Sequence, residues 1–221
     1  MKLEGLIFPE RLYCSCCGNI IDKTRTYSLC DHCMERFRWN LNPPMEIDGK
    51  RFITCTEYGI YERTLIFRLK YNGDRNISRI IAEIMDDKLK QAKVEGDLII
   101  PVPLHPKKER RRGFNQTVLI GRHLAERTGM DFYPGALKRV RETKAMRGLS
   151  SEERRDNIQG AIELTGGYEG FARGKRALLV DDFYTTGSTA MACAKALEQA
   201  EPLDITVLTY ARRTPMEELI I

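Results

Sequence analysis

Residues 177–189 limit the possible folds of this chain more than any other part of its sequence. They begin with the apolar run Ala-Leu-Leu-Val, which is typical of a buried parallel strand. Two adjacent carboxylates, Asp181 and Asp182, follow where that strand is predicted to end, and small residues then lead into a helical pattern. Because open α/β sheets bind ligands at the carboxyl ends of their strands, we expect a binding site here.

The small residues suit an anion, whereas the carboxylates suit hydroxyl groups. The loop offers hydroxyls and backbone N–H groups from Thr185, Thr186, Gly187, Ser188 and Thr189. A phosphate could bind these groups at the start of the helix, while the carboxylates could accept hydrogen bonds from sugar hydroxyls or hold a hydrated Mg²⁺. The alternative is an acidic strand end followed by an ordinary helix cap at Thr185 or Ser188. A cap alone explains neither the paired aspartates nor the run of small residues.

Two acidic residues ahead of Thr-Thr-Gly-Ser-Thr resemble the 5-phosphoribosyl-1-pyrophosphate (PRPP) signature of type I phosphoribosyltransferases. The resemblance implies that Asp181 and Asp182 contact the ribose hydroxyls, which makes them the candidate catalytic residues. It also implies that the 5-phosphate is held by Thr185, Thr186, Gly187, Ser188 and Thr189. In such enzymes PRPP binds with Mg²⁺, so Mg²⁺ is an expected cofactor.

Four cysteines near the N-terminus have the C-x2-C-x12-C-x2-C spacing of a tetrathiolate zinc site. The predicted ligands are Cys14, Cys17, Cys30 and Cys33. Cys16 remains an alternative to Cys14, and His32 could compete as a ligand. Disulfides would require an oxidising compartment, and the first residues show no secretory pattern. We therefore expect a structural Zn²⁺ that supplies the folding energy of this module.

The composition favours a cytoplasmic protein with one sizeable domain and a small appendage. The chain has 221 residues, of which 42% are hydrophobic and 30% are charged. Its apolar stretches fall short of the roughly 20 residues of a spanning helix, so we expect no membrane insertion. We place a zinc-binding ribbon at residues 1–40 and an α/β domain at residues 45–221.

Positive charge is concentrated between residues 105 and 155. This segment holds 14 Lys or Arg against 6 Asp or Glu, an excess of 8, whereas the whole chain has a net charge of +5. The densest run consists of Lys107, Lys108, Arg110, Arg111 and Arg112. Such a field suits a polyanion or a pyrophosphate, although a solvated face is the simpler reading.

Strands and helices alternate along the predicted α/β domain, which implies a mainly parallel sheet. The predicted strands are residues 51–58, 97–103, 131–133, 161–164, 176–181 and 204–210, and the predicted helices include 62–71, 75–91 and 116–127. We expect residues 97–103 to be the first strand of the sheet and the basic run to lie in the loop that follows it. Phe114, Phe132 and Tyr133 could stack on bases, but core packing is the better reading for at least two of them.

Together with the cysteine array and the PRPP-like loop, three further segments resemble the ComF family, specifically its ComFC-like competence proteins. These are residues 58–73 with Tyr58-Gly59, Arg63, Lys70 and Gly73, residues 101–116, and residues 139–157. The resemblance runs from Cys14 to about Arg212. It implies a type I phosphoribosyltransferase-like fold used in DNA uptake during natural transformation, with single-stranded DNA and a helicase-like protein as partners.

The loop of residues 185–189 is compatible with a protein that only binds PRPP and with an enzyme that transfers its phosphoribosyl group. An active phosphoribosyltransferase of nucleotide metabolism or salvage is the alternative function, in which Lys or Arg from residues 107–112 or 139–147 would meet the pyrophosphate. The sequence does not identify an acceptor substrate.

Overall fold

The computed structural model describes residues 12–22, 24–142, 158 and 160–213. Within these residues the protein is a mixed α/β structure. Its helices are α1 (Asp31–Arg36), α2 (Ile60–Tyr71), α3 (Ile77–Ala92), α4 (Pro106–Arg112), α5 (Gln116–Thr128) and α6 (Ser188–Leu197). Among the described helices, none combines the length and apolar character needed to cross a bilayer.

Eight strands form two sheets in the described part of the chain. They are β1 (Met45–Ile47), β2 (Lys50–Glu57), β3 (Leu98–Pro101), β4 (Asp131–Phe132), β5 (Leu137–Arg139), β6 (Ile162–Leu164), β7 (Arg176–Tyr184) and β8 (Asp204–Arg212). The main sheet has the order β1-β2-β8-β7-β3-β4, and β5 pairs with β6 in a separate antiparallel hairpin.

The main sheet is parallel except at one edge, where β1 pairs antiparallel with β2. This confirms the predicted α/β fold class with a mainly parallel sheet. The parallel strands β2, β8, β7 and β3 end at the same edge of the sheet, here called the carboxyl edge. That edge is where ligands of such sheets bind.

The expectation that residues 97–103 begin the sheet is wrong. The strand predicted at residues 51–58 is β2, and it lies in the main sheet directly beside β8, where Phe52 pairs with Val207. The hairpin before it was not predicted. It turns at Asp48 and Gly49, which both have positive φ, the backbone pattern of a tight hairpin turn.

Buried side chains cover both faces of the sheet, and they alternate along β7. Leu178 and Val180 pack with α2, α3 and α5 on one face, whereas Ala177 and Leu179 pack with α6 and the β5–β6 hairpin on the other. Phe114 is buried in the first of these cores and Phe132 packs against it, which agrees with core packing rather than base stacking for these two rings.

The cysteine-containing N-terminal residues share the first core with the sheet. Leu29, Cys33 and Phe37 belong to the same buried cluster as Leu65 and Ile81. The division into residues 1–40 and 45–221 stays a prediction. Any loosening of the N-terminal part is expected to reach α2, which packs against it.

Candidate functional site

The four predicted cysteine ligands converge. The Sγ atoms of Cys14, Cys17, Cys30 and Cys33 all lie within 4.8 Å of one another. Two backbone turns bring them together: Gly18 follows the first pair in the left-handed region, at φ +80°, and Cys30 caps the N-terminus of α1. The Cys17 and Cys30 Sγ atoms are 3.6 Å apart.

This donor set fits Zn²⁺. Zn–S bonds of about 2.3 Å in a tetrahedron place the sulfurs about 3.8 Å apart, which is the spacing approached here. The cluster contains Cys14 and not its alternative, Cys16. The Cys16 Sγ points instead to the carbonyl oxygen of Tyr61, 3.8 Å away. Burial raises the pKa of the Cys16 thiol to about 11. His32 lies against the ring of Tyr61, outside the cluster.

The sequence predicted that the two aspartates lie at the end of their strand. In the structure they lie inside it, because the strand is longer than predicted. β7 continues to Tyr184 because β8 pairs with it over its whole length, up to Tyr184 opposite Arg212. Aromatic packing also supports this extension, with Phe183 against Tyr58 and Tyr184 against Phe52. The carboxylates therefore stand close to the carboxyl edge within regular strand structure.

Asp181 and Asp182 have different surroundings. Asp182 is buried and forms an ion pair with Lys70 of α2, with 2.6 Å between Nζ and Oδ2. Asp181 interacts electrostatically with Arg139 and Cys193, which lie towards the other face of the sheet. Desolvation, reinforced by the charge of Asp182, raises the pKa of Asp181 to about 7.

The predicted phosphate loop ends in a left-handed glycine directly before a helix. Gly187 is left-handed, at φ +73° and ψ −3°, and it precedes the first residue of α6 without a side-chain cap on the helix. The Thr186 and Ser188 hydroxyl oxygens are 2.8 Å apart, so the loop carries two adjacent hydroxyls. A Cβ on Gly187 would lie 2.9 Å from Cε2 of Tyr184, so the close packing of the loop requires glycine. The loop joins the end of β7 to the N-terminus of α6, where backbone N–H groups favour negative charge.

The basic run lies in a helix, α4, and not in the predicted loop. Pro106 occupies its first turn, His105 accepts a hydrogen bond from the Lys107 backbone N–H, and Gly113 ends it at φ +82°. Proline at the start and glycine at the end are ordinary helix boundaries, so this helix could have been predicted from the sequence. The helix follows β3 and begins at the carboxyl edge.

The five cations of this helix differ in environment. Lys107 pairs with Glu142 at 2.8 Å, and Arg112 hydrogen-bonds Gln116, whereas Arg110 and Arg111 are exposed. Burial, and next the charge of Arg139, lowers the pKa of Lys108. Arg139 thus interacts with the basic helix on one side and with Asp181 on the other.

One residue of this site, Lys70, was not assigned a place in it by the sequence. Lys70 was noted only as part of a family pattern, and its pairing with Asp182 depends on how α2 packs on the sheet. Arg139, which belongs to the range 139–147 that the sequence offered for the pyrophosphate, is half-buried beside the carboxylates. The basic residues Lys144, Arg147, Arg154 and Arg155 lie outside the described residues.

Comparisons with known proteins agree with this architecture. No protein-family profile matches the chain. It is 30% identical over 205 residues to competence protein F of Haemophilus influenzae, which covers 90% of this chain and 84% of that protein. It is 28% identical over 193 residues to DNA utilization protein YhgH of Escherichia coli O157:H7, which covers 85% of this chain and 78% of that protein.

Among solved structures, the protein is similar to an adenine phosphoribosyltransferase from Thermoanaerobacter pseudethanolicus. The identity is 19% and the TM-score is 0.40, over 64% of this chain and 83% of that one, so this similarity carries no functional inference. Identity of 30% across most of a curated relative is decisive for the family. The chain belongs to the ComF family of competence proteins.

Proposed function

We propose that this protein is a competence factor that binds single-stranded DNA and, at the β7–α6 loop, a phosphoribosyl ligand such as PRPP. Relatives named for competence and for DNA utilization support the first part. The second part rests on one observation: the left-handed Gly187 leads directly into α6, next to two carboxylates at the carboxyl edge. The groups that would bind a phosphate and those that would bind sugar hydroxyls are therefore neighbours.

The proposed roles follow the chemistry of each group. The 5-phosphate accepts hydrogen bonds from the hydroxyls of Thr186 and Ser188 and from N–H groups at the start of α6. Asp182, which lies 2.6 Å from Nζ of Lys70, accepts hydrogen bonds from ribose hydroxyls, and Asp181 stands beside it. Mg²⁺ would supply charge neutralisation for a bound pyrophosphate.

Exposed cations on α4 support the DNA part of the proposal. Arg110 and Arg111 point to solvent from a helix with five Lys or Arg among its seven residues. Arginine and lysine side chains bind the phosphates of a strand without regard to its sequence, and they release counterions as they do so. A helicase-like competence protein is the further partner that the family implies.

An active phosphoribosyltransferase is the second candidate. The observation that favours it is the proximity of α4 to the carboxylates, through Arg139. Cations there would stabilise pyrophosphate as it leaves C1 of the ribose while a nitrogen nucleophile attaches. Detection of pyrophosphate released from PRPP in the presence of candidate bases tests this candidate.

The use of α4 can be tested with Arg110→Ala/Arg111→Ala. If the two side chains bind DNA phosphates, single-strand affinity should fall for all sequences alike. The slope of log affinity against log salt should also flatten by ~0.7 for each phosphate that the variant no longer neutralises. If they meet pyrophosphate instead, affinity for PRPP should fall far more than affinity for ribose-5-phosphate. Arg173→Ala is the matched control, since Arg173 is also exposed but pairs with Glu201 at 2.7 Å, away from this edge. Unchanged salt slope and unchanged PRPP affinity would make α4 a solvated face.

A further inference from the structure

Exposed aromatic rings are concentrated at one place on the described surface. Among the described residues, four aromatic side chains are exposed: Tyr13, Tyr58, Phe67 and Tyr71, at 62%, 39%, 47% and 64%. All but Tyr13 line one groove of about 470 Å³, together with Arg63, Ile66, Lys70 and Phe183. We call this the aromatic groove. Its volume falls within the roughly 300–1,000 Å³ of small-molecule sites.

The core does not need these rings. α2 buries Leu65 and Leu69 completely against the sheet, at 0% and 1% exposure, and turns a different stripe outward. Arg63, Phe67 and Tyr71 occur four residues apart, so they lie on one side of the helix. A helix that has already buried its apolar face would ordinarily present polar side chains there.

The rings pack in two pairs and together form a platform. The centroids of Phe67 and Tyr71 are 4.8 Å apart with their planes at 43°, and those of Tyr58 and Phe183 are also 4.8 Å apart. The Tyr58 backbone N–H donates to the carbonyl oxygen of Arg212, which places this residue at the end of β8. The platform therefore stands at the carboxyl edge.

Cations surround the groove and connect it to α4. The Arg112 guanidinium lies over the ring of Tyr71, 5.8 Å from its centroid, and Arg63 lies in the wall. Lys70, also in the wall, forms the ion pair with Asp182. The aromatic groove thus contacts α4 through Arg112 and the candidate phosphoribosyl site through Lys70.

We propose that the aromatic groove stacks bases of single-stranded DNA, while the arginines of α4 bind the adjoining phosphates. This rests on the proposed DNA-binding function and assigns a place to it. Aromatic rings bordered by cations are what a single strand requires, because its bases are free to stack and its backbone is anionic. The bases of a duplex are already stacked on one another, so duplex DNA could use only the cations.

The test uses the full chain and fluorescence anisotropy with three labelled probes of equal length: oligothymidylate, the same backbone with abasic sites, and a duplex. Phe67→Ala/Tyr71→Ala should bind oligothymidylate at least tenfold more weakly than the wild type does. Its affinity for the abasic strand and its salt slope should be unchanged. Both side chains are exposed, so the variant should fold, which thermal melting and zinc content would verify.

Tyr13→Ala is the matched control, because Tyr13 is about as exposed as Tyr71 but lies outside the groove. The affinity of this variant for oligothymidylate should equal that of the wild type. Wild-type binding that the groove variant retains in full would overturn the groove while leaving the DNA function in place. Failure of the wild type to bind any single strand would overturn both. If sedimentation shows that the groove variant changes oligomeric state and not base-dependent affinity, the groove is a contact between copies of this chain and the proposal is wrong.

Discussion

Asp181 and Asp182 are adjacent in sequence, but the alternation of side chains along β7 gives them different partners. Asp182 is paired with Lys70, whereas Asp181 faces Arg139 and the buried Cys193 thiol. Proximity in sequence therefore does not make them equivalent. Desolvation and the charge of Asp182 raise the pKa of Asp181, so the ionisation of Asp181 should affect stability.

We predict that Asp181 makes the protein less stable as the pH rises from about 4 to about 7. The folded state raises the pKa of this carboxyl, so between its unfolded and folded pKa values the folded chain binds more protons. Asp181→Asn removes that dependence. The free energy of unfolding of the variant, relative to that of the wild type, should therefore increase as the pH rises towards neutral. Urea unfolding at several pH values measures this.

Asp97→Asn provides a control of opposite sign. Its hydrogen bonds with Arg176 hold the pKa of Asp97 near 2, so the stability it contributes is present above its unfolded pKa and is lost only in acid. Above about pH 5 this variant should differ from the wild type by a constant amount. If the free energies of unfolding of the wild type and Asp181→Asn change in parallel with pH, the raised pKa of Asp181 is contradicted.

Gly187 provides a second prediction at this scale, because its conformation and its contact can be separated. Gly174 has nearly the same φ, +72° against +73°, but a Cβ there would meet nothing within 4 Å. Gly174→Ala should therefore cost only the left-handed strain, about 1–2 kcal/mol of unfolding free energy. Gly187→Ala should cost more, since its Cβ would press on Tyr184, which is packed against Phe52. Equal losses in urea unfolding would mean that the contact is unimportant.

Among the elements, α2 joins the cysteine cluster to the candidate site. The Arg68 guanidinium donates to the carbonyl oxygen of Ser15 at 2.5 Å, and buried Glu62 accepts from the Arg38 backbone N–H at 2.5 Å. Two side chains of α2 therefore contact the N-terminal residues, while a third, Lys70, contacts Asp182. A change in the cluster should reach the carboxylates through this helix.

We predict that Cys30→Ser loses zinc and loosens both the N-terminal residues and α2, while β7 and β8 stay folded. Hydrogen exchange measured by mass spectrometry should show reduced protection in residues 12–40 and 60–71, and retained protection in residues 176–184 and 204–212. Elemental analysis of the wild type should give about one equivalent of zinc.

Cys16→Ser is the control for this change. Cys16 lies between two ligands but outside the cluster, so the variant should keep its zinc and its protection. Wild-type protein with less than about half an equivalent of metal would rule out the zinc ribbon. Reduced protection confined to residues 12–40 in Cys30→Ser would rule out the coupling through α2.

The elements that could be predicted from sequence are those with strong local patterns. β7, β8, α3 and α5 appear where their apolar runs or helical spacing indicate, and the cysteine ligands follow from their spacing. Two errors were also local: the Asp48-Gly49 turn signals the β1–β2 hairpin, and Pro106 with Gly113 signals α4. The pairing of Lys70 with Asp182 and the clustering of exposed rings depend on the packing of α2 on the sheet. No local pattern contains that information.

At the scale of the whole molecule, one edge of the sheet carries groups whose chemistry suits each part of a nucleotide. The β7–α6 loop suits a phosphate, the carboxylates suit sugar hydroxyls, α4 suits further phosphates, and the aromatic groove suits bases. These parts come from widely separated segments and meet because β2, β3, β7 and β8 run in parallel and end together. The cysteine cluster supports this edge from outside, through α2.

Calorimetric titration of the wild type with PRPP and Mg²⁺ tests the central claim most directly. We predict saturable binding at one site. Thr186→Ala, which removes a hydroxyl 2.8 Å from that of Ser188, should bind more weakly by about 1–3 kcal/mol while its affinity for single-stranded DNA stays unchanged. Gly187→Ala should lose PRPP binding, and Gly174→Ala should retain it. Absence of binding to both PRPP and ribose-5-phosphate at millimolar concentrations would contradict the account and leave the loop without a phosphoribosyl ligand.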